Sequence, residues 1–488
     1  MSNPKDLQSL DQPMYQARKA VYPKKVDGFF RRLKWLIMAI TLTIYYVTPW
    51  LRWDRGPYAP HQAVLVDMAN RRFYMFAIEI WPHEFYFVAG LLIMAGIGLF
   101  LVTSAVGRAW CGYACPQTVW TDLFLHIERA IDGDRNAQIK LAAAPLGVSK
   151  IVKRVTKHAI WLVVAVATGG AWIFYFADAP TLACEFLSGS APFVAYATVG
   201  VLTATTYTFG GFMREQICIY MCPWPRIQTA MLDEKSLVVT YKFWRGEPRT
   251  QGRKRAQDAM IIDSMPTGDC IDCTQCIQVC PTGIDIREGA QLGCITCGLC
   301  IDACDKVMDQ IGKPRGLIHY ATSDDCELEQ AGAPPRPVTK ALFHPRTLAY
   351  FAIWCAIGLG LLFALGQRTR LDLSAIQDRN PVYVQLSDGS VRNNYTVKVR
   401  NMEGRPRKVE IKIDGLPGAV LWGELGDRAS AGKSVQIDVA ADSVRKTRLF
   451  VAAPATGEAA QPFDFTVRAL DSEGGIDRDD VKFERPAR

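Results

Sequence analysis

The stretch CIDCTQCIQVCP, Cys270 to Pro281, and the stretch CITCGLCIDAC, Cys294 to Cys304, decide the architecture at the centre of this 488-residue chain. Both read C-x2-C-x2-C-x3-C, and the second begins 24 residues after the first. Three cysteines spaced in this way wrap a short loop around three corners of a [4Fe–4S] cube, and the fourth cysteine of each run reaches the other cube. The spacing therefore predicts Cys270, Cys273, Cys276 and Cys304 for one cluster, and Cys294, Cys297, Cys300 and Cys280 for the second. Structural zinc sites pair two C-x2-C units across a longer loop, so a third cysteine directly after a pair favours iron and sulfur. Asp305, not proline, follows Cys304, a departure that removes no ligand.

Outward from this core, the composition sets the class. The chain is 49% hydrophobic and 21% charged, with 38 glycines and 12 tryptophans, which excludes a disordered, collagen-like or low-complexity protein. Its length implies roughly three domains. Fifteen cysteines are present and none lies beyond Cys355, whereas a secreted disulfide scaffold is short and spreads its cysteines.

Five stretches carry no Asp, Glu, Lys or Arg: Trp35–Leu51, Phe85–Val106, Ala159–Ala177, Ala191–Phe212 and Thr347–Gly366. They run 17, 22, 19, 22 and 20 residues, near the ~20 that a membrane-spanning helix needs. Soluble helices are amphipathic, and these are apolar on every face. Trp35, Tyr45, Tyr46 and Trp50 flank the first stretch, and Trp161, Trp172 and Tyr175 lie near the ends of the third, like interfacial belts.

Lys and Arg number 8 in residues 1–34, 4 in 52–84, 8 in 107–158, none in 178–190 and 16 in 213–346. The alternation puts the N-terminus and the cysteine-rich loop in the cytoplasm, and everything after Gly366 outside. The net charge of +8 lies wholly in residues 1–370, so it reflects membrane orientation and not nucleic-acid binding. The opening MSNPKDLQSLDQPMYQ is polar and has no apolar core, so no cleavable signal is expected and the first span serves as the membrane signal. In the reducing cytoplasm, cysteines ligate metals more often than they form disulfides.

Two further motifs, WCGYACPQTVW and ICIYMCPWPR, place Cys111 and Cys115 after the second stretch and Cys218 and Cys222 after the fourth. Proline after each second cysteine predicts helices over Pro116–Ala130 and Pro225–Leu237. Span, span, C-x3-C-P and interfacial helix thus occur twice. A thiol at a helix N-terminus beside Arg108, or beside Arg214 and Arg226, is expected to have a lowered pKa. Two pairs meeting across the repeat would offer up to four thiolates to a soft metal, namely Cu(I), zinc or an iron–sulfur centre.

Cys184, Cys326 and Cys355 have no spaced partner and read as structural. His61, His83, His126, His158, His319 and His344 do not cluster, although His61 and His83 lie on the outer side, where a metal is conceivable. The tract Arg245–Arg255 reads as a solvated basic linker at the inner leaflet. Beyond the fifth stretch, alternating segments at Tyr395, Val409, Ser434, Thr447 and Phe463 predict an immunoglobulin-like sandwich without a disulfide and with a docking role.

The expected organisation is a multi-domain membrane protein with an α-helical bundle of five spans. Residues 1–34 form a cytoplasmic segment, and 35–244 a four-span domain carrying both C-x3-C-P elements. Residues 245–344 hold the linker and a bacterial two-[4Fe–4S] ferredoxin-like insert, 345–367 the fifth span, and 371–488 a periplasmic Ig-like β-sandwich.

The strings RAWCGYACPQTVW, EQICIYMCPWPR, RGEPR, GDCIDCTQCIQVCPTGIDIR and DKVMDQIGKPRGLIHY resemble the FixG/CcoG family, accessory proteins for assembly of cbb-type cytochrome c oxidase. The likeness runs from about Val64 to Tyr320, and the family's C-terminal module fits the rest. The pairing of C-x3-C-P with a double cluster also occurs in relatives serving periplasmic nitrate and nitrous-oxide reductases. The resemblance implies a cupric reductase in the bacterial inner membrane. Electrons from an unknown donor would pass through the clusters to Cu(II) at Cys111, Cys115, Cys218 and Cys222, and Cu(I) would go to copper chaperones and oxidase assembly factors. The other readings are a transmembrane electron conduit to a periplasmic partner and a non-catalytic assembly scaffold.

Overall fold

The computed structural model describes residues 20–56, 59–250, 268–334, 336, 343–424, 426, 431–471 and 474–486. The chain divides into two compact units. One comprises Met1–Leu51, Gln62–Ile78 and Tyr86–Gly358, and the other Arg52–His61, Glu79–Phe85 and Leu359–Arg488.

In the first unit, helices Phe29–Val47, Phe85–Val106, Val148–Ile173 and Phe193–Thr206 occupy the first four apolar stretches, and helix Pro345–Gln367 begins on the fifth. Among the described residues, Phe85–Val106 and Pro345–Gln367 are each long and apolar enough to cross a membrane. Ala179–Ser188 and Phe193–Met213 meet that criterion as a pair bent by 92°. The other two helices start earlier than their apolar stretches. Phe29–Val47 takes in Arg31, Arg32 and Lys34, and Val148–Ile173 takes in Lys150, Lys153, Arg154 and Lys157.

Several of these cations are not solvated. The helix Pro116–Asp132 is amphipathic and buries Asp122, Glu128 and Asp132. Asp122 pairs with Arg31 at 2.9 Å, Lys157 with Glu128 at 3.0 Å and Asp132 at 2.7 Å, and Arg214 with Glu128 at 2.8 Å. Three apolar helices thus bring their basic ends to one interfacial helix. A buried charge is tolerated only when it is paired, and here each acid meets a cation from a different helix. Trp161 covers the group, with Lys157 Nζ 5.2 Å and the Arg214 guanidinium 5.4 Å from its ring centroid.

The cluster-bearing insert is bracketed by a two-stranded antiparallel ribbon, Val238–Tyr241 with Ile318–Ala321. Its first strand precedes the boundary at 245 expected for this domain. Arg245 is also no free linker residue, since its guanidinium pairs with Asp269 and donates to the Arg315 carbonyl at 3.0 Å. The rest of the basic tract, residues 251–255, lies outside the described residues.

The second unit contains a sandwich of two antiparallel sheets. One orders Val420–Gly423, Ser443–Ala453, Val391–Asn401 and Leu371–Gln377, with Val384–Gln385 also on Val391–Asn401. The other orders Ser434–Val439, Arg407–Asp414, Ala460–Ala469 and Ile476–Glu484. Val391, Tyr395, Val397 and Val399 are fully buried and face Val409, Ile411, Phe465 and Val467 in one core. All five expected strands form. Leu371–Gln377, Val420–Gly423 and Ile476–Glu484 are additional strands that the sequence reading did not single out.

Candidate iron–sulfur and thiol sites

The two cysteine runs fold as a pair of matching loops. Asp272 (φ 49°) and Thr296 (φ 54°) stand two residues after the first cysteine of each run, and Thr274 (φ 55°) and Gly298 (φ 71°) stand four after it. Left-handed backbone at the same two places curls each loop so that its cysteines face inward, a strain that persists only where the surroundings enforce it. After each loop comes a helix, and the second, Leu299–Ile311, runs on through Cys304 to Gly312. A proline after Cys304 would break that helix. Asp305 instead accepts the Gly316 N–H at 2.9 Å and ties down the chain leading to the return strand.

The thiols sort into two groups. Cys304 feels the charge of Cys276, Cys273 and Cys270, while Cys297 and Cys294 both feel that of Cys280. Cys300 feels Cys297, Cys294 and Cys280, and also Cys276 across the divide. Cys280 also lines one enclosed space with Cys294, Cys297 and Cys300, and with Cys276, as a crossed grouping requires. Burial pushes the Cys276 and Cys297 thiols up to about 12, and burial joined by neighbouring thiols also raises Cys300 and Cys304. Ligation requires thiolates, and in so dry a setting bound iron has to supply the compensating positive charge. Among the described residues, no three Cys, His, Asp or Glu side chains converge as a single-ion site would demand. Thiolates on one zinc lie about 3.8 Å apart, given Zn–S bonds of ~2.3 Å. A cube holds its four thiolates wider, so the donor set fits iron and sulfur.

The two C-x3-C-P elements come together. The thiols of Cys111, Cys115, Cys218 and Cys222 all enter one another's electrostatics. Cys115 caps the helix Pro116–Asp132, with its carbonyl accepting from Thr118 and Val119 N–H at 3.0 Å. Cys222 ends a run of wide turns, Ile217–Met221, and Pro223 caps the helix Trp224–Met231, which is shorter than the expected Pro225–Leu237.

The lowered thiol pKa expected at Cys115 is not found. Burial pushes Cys111 up to about 11 and Cys218 up to about 12, and it also raises Cys115 although the Gln117 and Thr118 N–H groups act the other way. A helix N-terminus and one arginine do not offset loss of water around four adjacent sulfurs. Cys111 donates to Gln228 Oε1 at 3.0 Å, and Gln228, fully buried, donates to Thr103 Oγ1 at 3.1 Å. Gln228 thus fastens the first repeat's cysteine to the second repeat's helix. No spacing marks it in the sequence.

This thiol group packs directly on the second cluster loop. Cys111, Ile295, Cys297 and Leu299 share one buried cluster, flanked by Trp224. A Cβ at Gly112 would lie 2.6 Å from the Ile295 carbonyl oxygen and 3.1 Å from Cys297 Cα. Tyr113 donates its hydroxyl to the Cys297 carbonyl at 2.9 Å, and Arg108 donates to the Leu292 carbonyl. The segment leading into helix Phe29–Val47 lies against the insert as well, with Lys24 N–H on the Gln278 carbonyl at 2.7 Å and Val26 in the same buried cluster.

Of the remaining residues singled out, Cys184 is exposed, and Cys326 and Cys355 are half-buried. His158 Nδ1 meets the Tyr207 hydroxyl at 2.9 Å, and His126 stands edge-on to Trp35. The side chain of His83 lies outside the described residues.

Fold and sites together define a membrane-associated iron–sulfur protein: apolar helices, a dicluster ferredoxin-like insert and an Ig-like module. Comparison with known families agrees. Residues 213–323 match a 4Fe-4S dicluster domain, 87–132 a 4Fe-4S binding domain, and 361–486 the IG-like fold at the C-terminus of FixG. The Nitrogen fixation protein FixG of Rhizobium meliloti is 57% identical over 465 residues, covering 91% of this chain and 88% of that protein. Protein RdxA of Cereibacter sphaeroides is 52% identical over 468 residues, 96% of each. A crystal structure of a FixG-related protein from Vibrio parahaemolyticus matches 25% of this chain and 100% of its own, at 20% identity and a TM-score of 0.20. The chain belongs to the FixG family.

Proposed function

We propose that this protein reduces Cu(II) to Cu(I) at the paired C-x3-C-P cysteines, with electrons drawn from its two iron–sulfur clusters. One observation carries the reading: the Cys111 element packs directly on the loop bearing Cys297. The clusters, one bound by Cys270, Cys273, Cys276 and Cys304 and the other by Cys294, Cys297, Cys300 and Cys280, supply one-electron carriers. Cu(II) is the substrate and takes one electron to become Cu(I). Cys111, Cys115, Cys218 and Cys222 would draw closer to hold it, since no three of them converge as they stand, and soft thiolates prefer the reduced ion, which raises the Cu(II)/Cu(I) potential. High thiol pKa values mean that binding releases protons, so metal affinity rises with pH.

The reading extends to topology and partners. Five spans in the bacterial inner membrane would put the insert and both thiol pairs in the cytoplasm and the sandwich in the periplasm. The basic-residue alternation and the convergence of three basic helix ends on Pro116–Asp132 support that orientation. Cu(I) would then pass to chaperones and assembly factors of a cbb-type oxidase.

The test is a Cys115→Ser/Cys222→Ser variant, with iron content measured first and cupric reduction followed with a Cu(I)-specific chelator after chemical reduction of the clusters. Intact clusters with lost reduction and lost Cu(I) binding support the assignment. Normal rates with intact clusters sink it.

A further inference from the structure

Electrons must enter the clusters somewhere, and the two cysteine groups differ in what covers them. Cys297, in the second group, lies beneath the Cys111 element and the Tyr113 side chain. The group of Cys270, Cys273, Cys276 and Cys304 has one open side. There Cys273, only partly buried, lines a cleft of about 360 Å³ formed between the segment before helix Phe29–Val47 and helix Leu299–Ile311. The cleft floor is aliphatic, with Val26, Val279 and Ile311. Its rim carries Lys24, Lys25 and Lys306 against the single acid Asp272, and Asp272 is already engaged by Arg287. Lys25 and Lys306 are exposed, while Lys24 is held by Gln275 Oε1 at 3.0 Å.

We propose that this cleft is the docking site of an acidic one-electron carrier protein, which reduces the cluster next to Cys273. The inference rests on the iron–sulfur reading above but not on copper. An apolar floor inside a charged rim is the anatomy of a transient protein interface, and a basic rim steers an acidic partner. Among the described residues, no aromatic side chain lines the cleft to stack a flavin or nicotinamide ring, and a hydride donor delivers two electrons where a cube accepts one. In the step itself one electron leaves the reduced carrier and enters the nearer cluster. No bond or proton changes place. The order of flow is then carrier, Cys273 side, Cys297 side.

The experiment uses the full chain in nanodiscs and an acidic plant-type [2Fe–2S] ferredoxin as probe. Binding of the oxidised ferredoxin is titrated across ionic strength, and cluster reduction by the reduced ferredoxin is compared with photoreduction by deazaflavin, which needs no docking. Lys25→Glu/Lys306→Glu should weaken binding by about tenfold or more and flatten its salt dependence. The ratio of ferredoxin to deazaflavin rates should fall in parallel, and the milder Lys25→Gln/Lys306→Gln should fall between. Binding that ignores both variants, or that strengthens with salt, overturns the proposal. So does cluster reduction by a membrane quinol or by a free reduced nicotinamide with no protein carrier present. Cupric reduction driven by deazaflavin is measured separately, so failure of docking is distinguishable from failure of the copper assignment.

Discussion

Asp302 caps Arg31: its Oδ2 accepts the Arg31 backbone N–H at 2.8 Å, and its Oδ1 accepts that of Phe30 at 3.2 Å. The residue sits on the helix that carries Cys300 and Cys304, so the cluster helix supplies the missing hydrogen-bond partners at the N-terminus of the first apolar helix. Arg31 then turns its guanidinium to Asp122, which extends the link to the interfacial helix of the first repeat. Cluster, membrane helix and C-x3-C-P element are joined through a chain of three side chains.

Removing that cap should loosen the joint. Asp302→Ala is expected to lower stability by about 1–2 kcal/mol, the range for losing an N-terminal cap. Asp302→Asn keeps an acceptor and should cost much less. Thermal unfolding of the three proteins, with iron content matched, decides it, and equal losses for Ala and Asn would show that charge and not capping holds the helix.

Gly112 is expected to tolerate no side chain. Its Cβ position is 2.6 Å from a backbone oxygen and 3.2 Å from Cys297 Cβ, and backbone cannot step aside cheaply. Gly112→Ala should cost about 1–3 kcal/mol through overpacking. The strain falls on the Cys297 loop, so the EPR signal of one cluster should change while the other keeps its shape. An unchanged spectrum together with unchanged stability would mean that the two elements are not in contact.

Glu128 gives a prediction with a pH signature. Burial alone pushes its carboxyl up, but Arg214 and Lys157 outweigh burial and hold it below the usual carboxylate range. A group so depressed stabilises the fold fully above its ordinary pKa, and that contribution drains away as pH falls through the lowered value. Glu128→Gln should lose about 3 kcal/mol at neutral pH, because Arg214 is left without its buried partner. The gap to the parent protein should narrow on acidification, and a gap constant with pH would contradict the pairing.

Spacing and composition made the loops and apolar helices readable. The double C-x2-C-x2-C-x3-C run predicts a crossed grouping, because three ligands in one loop leave the fourth to come from elsewhere. The repeat of C-x3-C-P likewise shows in the chain, as does the capping of a helix by Cys115. What stayed hidden depends on contacts remote in sequence. Gln228 reaches Cys111 across 117 positions and Asp302 reaches Arg31 across 271, and no local pattern marks either residue. The raised pKa of Cys115 is hidden for the same reason. Helix end and arginine are visible in the sequence, whereas the burial that outweighs them is a property of the packed site. The strand Val420–Gly423 is short and contains an inward Leu421 beside Trp422, which blurs the alternation that betrays longer strands.

Cys280 is the position at which the expected crossed ligation can be tested. It belongs by sequence to the first run, yet its charge acts on Cys294, Cys297 and Cys300. Cys280→Ser should therefore perturb the cluster of the second run and spare that of Cys270, Cys273 and Cys276. Stepwise reduction followed by EPR separates the two. Damage confined to the first cluster would reverse the assignment.

The orientation of the helices can be tested apart from any metal. If the basic-residue alternation sets the orientation, residues 213–346 face the cytoplasm, the segment after Gly366 is external, and the helix Pro345–Gln367 would carry the chain across. Its composition allows this, with an apolar core long enough for the ~30 Å hydrocarbon layer. Ser104 and Thr347 hydroxyls lie 2.8 Å apart and Trp354 donates to the Met94 carbonyl at 3.1 Å, so this helix packs along Phe85–Val106 with polar contacts that a bilayer interior would otherwise leave unmet. An enzyme reporter active only in the cytoplasm should work when fused after Asp325 and fail after Arg392. A reporter active only in the periplasm should show the opposite. If both positions report the same side, Pro345–Gln367 does not span, and the sandwich shares a compartment with the clusters.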